Sequence, residues 1–372
     1  MEVKKIKLPF KVKEAILALG AQTKNTLSFA RGGSLYMSPL HQDLINPKDF
    51  LNFKKDANLF LKKHPQIIAY DLHPEYQSTK YARELSAKTY QFAAIQHHHA
   101  HIASCMLENG LKNQKVIGVA FDGTGLGTEN KIWGAEFLIC DYRRFMRCAY
   151  LREIPLLGGQ KAIQEPWRIA AAWLYLIYKD KFLNLGINFT KGIDKKKWRV
   201  AKSLLLSGYN SPSVSSMGRL FDAAASLILA KYEAGFEADL AIRLEKLAAK
   251  YRNKTSGYAF KIIRNQNEYI LDPLPMFKEI TLNLKSGEPL EKIAYCFHLT
   301  TAQMIRKACS LLRKQNKINR VVLSGGVFQN NILLRLSLDL LYKDGFKVFT
   351  HQSLSSNDSS ISLGQAAIAN FL

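Results

Sequence analysis

The 372-residue chain has only five cysteines (Cys105, Cys140, Cys148, Cys296 and Cys309), and no two of them stand in a CxxC pair. That excludes a paired disulfide framework and a thiolate zinc module, and it points to a reducing compartment. Long apolar runs are missing as well. The longest, IAAAWLYLIY at 169–178, is about half the length that spans a bilayer. The N-terminal residues carry no apolar stretch followed by a small-residue cleavage site. The expectation is a soluble, cytoplasmic protein with no membrane partner. Acidic residues are scarce: 30 Asp and Glu face 53 Lys and Arg, a formal charge of +23. An anionic partner follows, whether nucleotide, nucleic acid or an acidic protein face. The basic runs at 4–13 and 191–202 nevertheless lack the aromatic ladder that stacks bases, so a solvated lysine-rich surface is the simpler reading of them. Low-complexity sequence is absent, and the length exceeds a usual single domain, so two lobes with ample core are expected.

What is present is an internal echo. AILALGAQTKNTLSFA (15–30) and VIGVAFDGTGLGTENKIWGAEFLI (116–139) both read as an apolar strand, a turn rich in Gly, Asp, Asn or Thr, and a second strand. In such turns backbone amides can approach an anion closely. A third turn, in RVVLSGGVFQNNILL (320–334), is predicted to run straight from a strand into a helix, with Gly325 and Gly326 placed to receive phosphate. Segments 221–251 and 290–317 have helical periodicity, the first broken near Gly235. Residues 252–288 read as a hairpin around 264–267 followed by Pro- and Gly-punctuated chain, an insertion or lobe connector. The echo divides the chain into a first lobe, 1–114, and a second, 115–372.

Four of the nine histidines fall within QHHHAH (96–101). Apolar Ile102, Met106 and Leu107 recur at helical spacing after them, and Asn109-Gly110 is a helix stop, so the cluster opens a helix. His97 and His101 then share a face one turn apart, the geometry in which two imidazoles hold one metal ion, while His98 and His99 point elsewhere. Two imidazoles still need a carboxylate or thiolate, and two His with one carboxylate suit iron(II) or zinc. Asp358, in a polar loop before a small-residue helix, is the candidate; local spacing alone does not pair it with the histidines.

ILALGAQTKNT, DLHPEYQST, QHHHAHIASCMLENG, FDGTGLGTENKIWGAEFL, GRLFDAAASL, LSGGVFQNNIL and NDSSISLGQ occur in this order. In order and style they resemble the C-terminal catalytic domain of the HypF family, the carbamoyltransferases of [NiFe]-hydrogenase maturation. That resemblance implies an α/β fold of the ASKHA class, two RNase H-like lobes closing on ATP, with the C-terminal helix packing back on the first lobe. It implies iron or zinc held by His97, His101 and Asp358. It assigns Asp122, Gly123, Thr124 and Gly125 to a second-lobe phosphate loop, and Gly20, Lys24, Asn25 and Thr26 to its first-lobe counterpart. Gly325, Gly326, Asn330 and Gly218 would bind ATP or carbamoyl-AMP with magnesium, and Asp222 and Glu237 would reach the ribose. Read locally, Asp222 could equally cap the helix that follows it.

The chemistry implied is transfer of a carbamoyl group from carbamoyl-adenylate to the C-terminal cysteine of a HypE-like acceptor. The family's acylphosphatase, zinc and YrdC-like modules are not among these residues, so the expectation is that a separate YrdC-like partner supplies the adenylate. Three stretches depart from the family pattern: SPLHQDL at 38–44, FEADLA at 236–241, and Ser359-Ser360 where the family carries glycines. The rivals are threonylcarbamoyl transfer to tRNA, which the basic charge favours, and a degenerate nucleotide-binding scaffold.

Overall fold

The computed structural model describes residues 3–85, 90–129 and 131–372. The chain opens with β1 (Lys4–Lys7), β2 (Ile16–Ala18), β3 (Ser28–Arg31), β4 (Ser34–Met37), α1 (Pro47–Leu61), β5 (Ile67–Asp71), α2 (Gln77–Glu84), β6 (Gln91–Ile95) and α3 (His97–Glu108). The sheet order is β1-β4-β3-β2-β5-β6. β2, β3 and β4 form an antiparallel meander, and β5 and β6 add in parallel on the other side of β2. On its outer face Leu17, Phe29 and Ile68 pack against Phe53, Ala57 and Phe60 of α1 and Tyr81 of α2.

The second lobe comprises β7 (Val116–Leu126), β8 (Ile132–Cys140), β9 (Phe145–Leu151), β10 (Ile154–Pro155), α4 (Gln160–Gln164), α5 (Trp167–Tyr178), α6 (Asn188–Lys191), α7 (Lys195–Ser207), β11 (Ser213–Ser216), α8 (Met217–Leu229) and α9 (Asp239–Ala248). It continues with β12 (Lys261–Asn265), β13 (Glu268–Asp272), α10 (Leu274–Lys285), α11 (Leu290–Asn316), β14 (Arg320–Ser324), α12 (Asn331–Lys343), β15 (Lys347–Phe349) and α13 (Ile361–Ala369). Its main path is β12-β13-β9-β8-β7-β14-β15. β7, β8 and β9 repeat the antiparallel meander, and β14 and β15 add in parallel beside β7. The two lobes therefore share one wiring, and the two echoing segments are the first hairpin of each.

Two expectations need correction. The hairpin at 261–272 is present, but it is no connector: β13 pairs in parallel with β9, so the hairpin extends the second sheet. The chain after it is helical, because Pro275 stands in the first turn of α10, where its missing N–H leaves no bond unmade.

Each lobe ends in a helix that covers the other lobe's sheet. α3, leaving β6, lies against β7, β8 and β14; α13, following β15, lies against β2, β3, β5 and β6. Between the sheets the two helices cross, in a shared core that includes Ile16, Ala69, Ile102, Met106, Val322, Ile361 and Leu363. The crossing is so close that a Cβ on Gly364 would stand 1.9 Å from the Ala100 carbonyl oxygen. The same core is tight beneath α3, where a Cβ on Gly118 would meet Ile102 at 2.6 Å. Among the described residues no helix is long and apolar enough to cross a membrane.

Close packing of backbone on backbone cannot be relieved by a rotamer change. Gly364→Ala is therefore expected to cost at least about 1–3 kcal/mol of stability, the scale of overpacking in a filled core. Gly33→Ala, where an added Cβ meets nothing within 4 Å, is the matched control and should be near neutral. Denaturant melts of the two variants check this, and equal midpoints would contradict the crossing.

Candidate metal centre and glycine-lined cleft

The side chain of Gln96 accepts from the His99 N–H and so caps α3, which starts the helix at His97 and puts the imidazoles in its first turns. Gly110, at φ +66, ends it. At the N-terminal end of α13, Asn357 caps the short turn that carries Asp358. Because α3 and α13 cross, their N-terminal ends converge. β7 brings a third element, with Asp122 beside them.

His97 Nε2 lies 3.5 Å from Asp122 Oδ2 and 3.7 Å from Asp358 Oδ1; His101 Nε2 lies 3.8 Å and 3.5 Å from the same oxygens. Four donor atoms, one from each of His97, His101, Asp122 and Asp358, stand within 4.8 Å of one another, a group that could hold a metal ion. Both Nε2 atoms are buried and hydrogen-bonded to nothing. The spacing is too long for hydrogen bonds, yet ligands about 2.1 Å from a tetrahedral cation stand about 3.4 Å apart. Two imidazoles and two carboxylates fit zinc or iron(II).

The electrostatics agree with that fit. Burial disfavours the charged form of His97, but the Asp71 and Asp358 carboxylates hold its imidazole well above the ordinary histidine value. Burial likewise works against a charged His101, and Asp122 and Asp358 raise it. Burial works against ionisation of Asp122, which is buried, and of Asp358, which is half-buried, but the two imidazoles keep both carboxyls low. His98 and His99 stand apart: burial pushes His98 well below its usual value and His99 to about 4, and His99 Nε2 is 2.6 Å from the Asp141 carbonyl oxygen.

The glycine segments differ from their sequence reading in two respects. Residues 121–125 are no turn. They form a bulge inside β7, because pairing with β8 breaks after Phe121 and resumes at Gly125, and the reversal comes later, where Gly127 N donates to Lys131 O. The bulge exposes Thr124 and leaves Gly123 half-buried. Gly125 passes over the histidines: a Cβ there would meet His98 at 2.6 Å and His97 at 3.0 Å. Nor does Gly325-Gly326 lead directly into a helix. A 3-10 turn, Gly326–Gln329, intervenes, and α12 starts only where the Asn330 side chain caps it by accepting from Leu333 N. Gly325 lies at φ +106 with Phe121 O against it, and Gly326 N donates to Asp122 Oδ1 at 3.3 Å, so this turn abuts the bulge.

The remaining candidates divide into those that face the cleft and those that do not. Gly20, Asn25 and Thr26 are turned inward. Gly20 N donates to Gln365 Oε1, Asn25 Nδ2 donates to the Leu19 and Ala21 carbonyls, and Thr26 Oγ1 donates to Ser359 O. Lys24 alone of this turn reaches across, 2.7 Å from Glu237 Oε2 on the second lobe. Burial works against its charge, but Glu237, Asp358 and Asp122 raise its pKa. Glu237 is largely exposed, whereas Asp222 is buried against Arg219 at 2.8 Å. Asp222 does not cap α8; Ser216 does, because Asp222 lies a full turn inside the helix. Gly218 lets α8 approach the bulge, since a Cβ there would stand 2.8 Å from Gly123 Cα.

The comparisons can now be set beside this geometry. The model of the HypF Kae1-like domain matches residues 11–108, and that of the second subdomain of the carbamoyltransferase Kae1-like domain matches 118–365. A carbamoyltransferase HypF homolog of Cupriavidus necator is 33% identical over 95% of this chain and 91% of its own length. The chain belongs to the HypF carbamoyltransferase family. Carbamoyltransferase HypF of Synechocystis is 36% identical over 97% of this chain but 48% of its own length. The crystal structure of a full-length HypF in a phosphate- and nucleotide-bound form superposes with a TM-score of 0.91 at 38% identity, over 98% of this chain and 47% of that one. The chain thus spans about half the length of these two HypF proteins, and its α/β fold is the two-lobed one expected of the ASKHA class.

Three residues take roles in the structure that sequence reasoning does not assign to them. Asp122 was read only as part of a phosphate loop, but its carboxylate joins the ligand group. Asp71, the last residue of β5 in DLHPEYQST, holds His97 Nδ1 at 2.8 Å; its position at a strand end beside the motif was the available signal. Arg219, adjacent to Gly218, partners Asp222 and had no such signal. Two of the three departing stretches, 38–44 and 359–360, make internal bonds, whereas Phe236 and Glu237 in the third are exposed. Ser360 Oγ is 3.2 Å from Ser104 Oγ, and His41 braces Asn25 Oδ1 at 3.2 Å and Asp56 at 3.0 Å.

This ligand set yields two expected outcomes. Elemental analysis of the purified protein should find about one zinc or iron per chain, lost in the His97→Ala, His101→Ala double variant, whereas Asp71→Asn should weaken binding about 10- to 100-fold by freeing the ring it orients. Because the metal-free imidazoles are raised and hold protons that a cation must displace, affinity should rise with pH. Titrations at several pH values with proton release measured alongside check the sign; pH-independent binding would contradict it.

Proposed function

We propose that this chain is the transfer module of a HypF-type reaction. It would pass a carbamoyl group from carbamoyl-adenylate to the C-terminal cysteine of a HypE-like acceptor in [NiFe]-hydrogenase maturation. The observation that carries the reading is the convergence of His97, His101, Asp122 and Asp358 at the mouth of two glycine segments, in a chain of the HypF family. A zinc or iron ion held by these four residues would supply Lewis acidity and stabilise charge developing on the carbamoyl or phosphate oxygens. The protein's own residues would do the rest. Asp71 orients His97. The bulge at 121–125 would offer backbone to phosphate without intervening side chains, with the turn at 325–326 bracing it, and Lys24 brings a positive charge to the first-lobe side. Asp222 and Glu237 would receive the ribose, with magnesium accompanying ATP.

The chain offers no thiolate of its own. Burial pushes all five thiols up, Cys148 to about 11, so the attacking sulfur comes from the acceptor. In the transfer the C–S bond forms as the carbamoyl–phosphate C–O bond breaks; AMP departs and the thiol gives up its proton. The excess of basic residues favours the acidic ligands, and association should slow as salt rises. The setting is the cytoplasm, with a YrdC-like protein making the adenylate.

The test incubates the chain with an acceptor peptide and reads the terminal cysteine by mass spectrometry. Carbamoyl-adenylate, or a YrdC-like partner with carbamoyl phosphate and ATP, should give the S-carbamoyl product, and Asp358→Ala should abolish it. Transfer from carbamoyl phosphate and ATP by the chain alone would contradict the need for a partner. An unmodified acceptor even with carbamoyl-adenylate would leave a nucleotide-binding scaffold, and threonylcarbamoyl transfer to tRNA in the same assay would replace the reading.

A further inference from the structure

Beyond the ligand group, one buried polar chain is unexplained: Glu108, His351 and Ser324. Glu108 ends α3, and its Oε2 lies 2.6 Å from His351 Nδ1; His351 Nε2 lies 3.0 Å from Ser324 Oγ. Serine, histidine and carboxylate in that order make a hydrolase triad. Here, however, Ser324 is fully buried at the end of β14, and no substrate could reach its oxygen.

What these residues do is grip a loop. Glu108 Oε1 accepts from the backbone N–H of Gln352 at 3.2 Å, Ser353 at 2.6 Å and Leu354 at 2.9 Å, and from Ser353 Oγ at 3.0 Å. Burial opposes its ionisation, but His351 and the backbone amides hold the carboxyl at about 2. The gripped loop leads from β15 to Asp358, and on the way its Ser356 carbonyl accepts from Gly325 N at 3.0 Å. The C-terminal end of α3 therefore holds the segment that delivers Asp358 to the histidines at its N-terminal end, roughly 16 Å away along the axis.

We propose that Glu108 and His351 are positioning residues for the metal centre: by fixing residues 350–356 they set Asp358, and with it the Gly325 turn, against His97 and His101. This rests on the reading of those residues as metal ligands. Neither Glu108 nor His351 touches the ligand group; His351 lies in the loop itself, and Glu108 shares α3 with the histidines, so a metal effect common to both replacements points to the loop.

The experiment uses the full chain, zinc affinity by chelator competition, and the visible spectrum of the cobalt(II)-loaded protein. Glu108→Ala should bind zinc about tenfold or more weakly, as when a group that orients a ligand is lost, and should shift the cobalt bands. Glu108→Gln keeps an oxygen for the backbone amides and should recover part of both. Should Glu108→Ala not fold, His351→Asn is the second variant: it removes the link from the loop to Glu108 Oε2 and Ser324 but leaves the bonds from Glu108 to the loop amides, so it should weaken zinc binding less than the loss of the whole grip and shift the cobalt bands in the same direction. A lower melting temperature with unchanged zinc affinity and cobalt spectrum would make the grip purely structural and overturn the proposal. A wild-type chain that takes up neither metal would remove the ligand reading itself, and the proposal with it; variants that match a metal-binding wild type would remove the proposal alone.

Discussion

The backbone contact between Gly364 and Ala100 is the constraint on which the site depends. α3 and α13 are the last helices of two identically wired lobes, and each lies on the other lobe's sheet. Helices can cross at such short range only if one of them offers no side chain at the crossing point. With a bulkier residue at 364 the helices would separate, and both the shared core and the convergence of their N-terminal ends would be lost. With histidines on one helix and Asp358 at the start of the other, the candidate ligand group is a consequence of the packing.

The same exchange explains why the lobes share a core. The first lobe has its own apolar layer under α1 and α2, and the second has a much larger one around α5, α8 and α11. Between them lies a third layer made of residues from both ends of the chain, so residues near 16 and near 366 pack together. Lys13 N donating to Asn370 Oδ1, and Gly20 bonded in both directions to Gln365, close the chain on itself at this layer. The Lys24–Glu237 pair adds a second link between the two lobes.

Much of this was legible in the residues, and what was missed has a physical pattern. The duplicated hairpins, the helix opening at His97 and its stop at Gly110 follow from local signals: strand periodicity, a cap, a glycine at positive φ. The placement of Asp358 beside the histidines came from the family's motif order, since no local spacing links positions 101 and 358. The errors fall where tertiary pairing overrides a local preference. DGTG has the composition of a turn, yet pairing with β8 on both sides keeps it inside a strand. Asn25 and Thr26 have the composition of an anion-binding turn, yet the carbonyls of Leu19 and Ala21 take up the Asn25 amide, and Ser359 and Ser362 take up the Thr26 hydroxyl. Asp71 offers only a faint signal, its place at a strand end in DLHPEYQST, and Glu108 offers none: an acid at the end of a strand or helix is common, and only the fold reveals which partner it meets.

The charge balance shows why a metal-free centre can be stable and still be built for a cation. Three carboxylates, the buried Asp71 and Asp122 and the half-buried Asp358, face two imidazoles whose protonated form they favour. Buried carboxylates without counter-charge would be costly, and protons on His97 and His101 would offset most of the group. A divalent ion held by these residues would take the place of such protons and supply the same charge. The exchange would then need no rearrangement of the surrounding charges. Only the four donor atoms must close on a common centre, and the crossing of α3 and α13 already holds them at nearly that spacing.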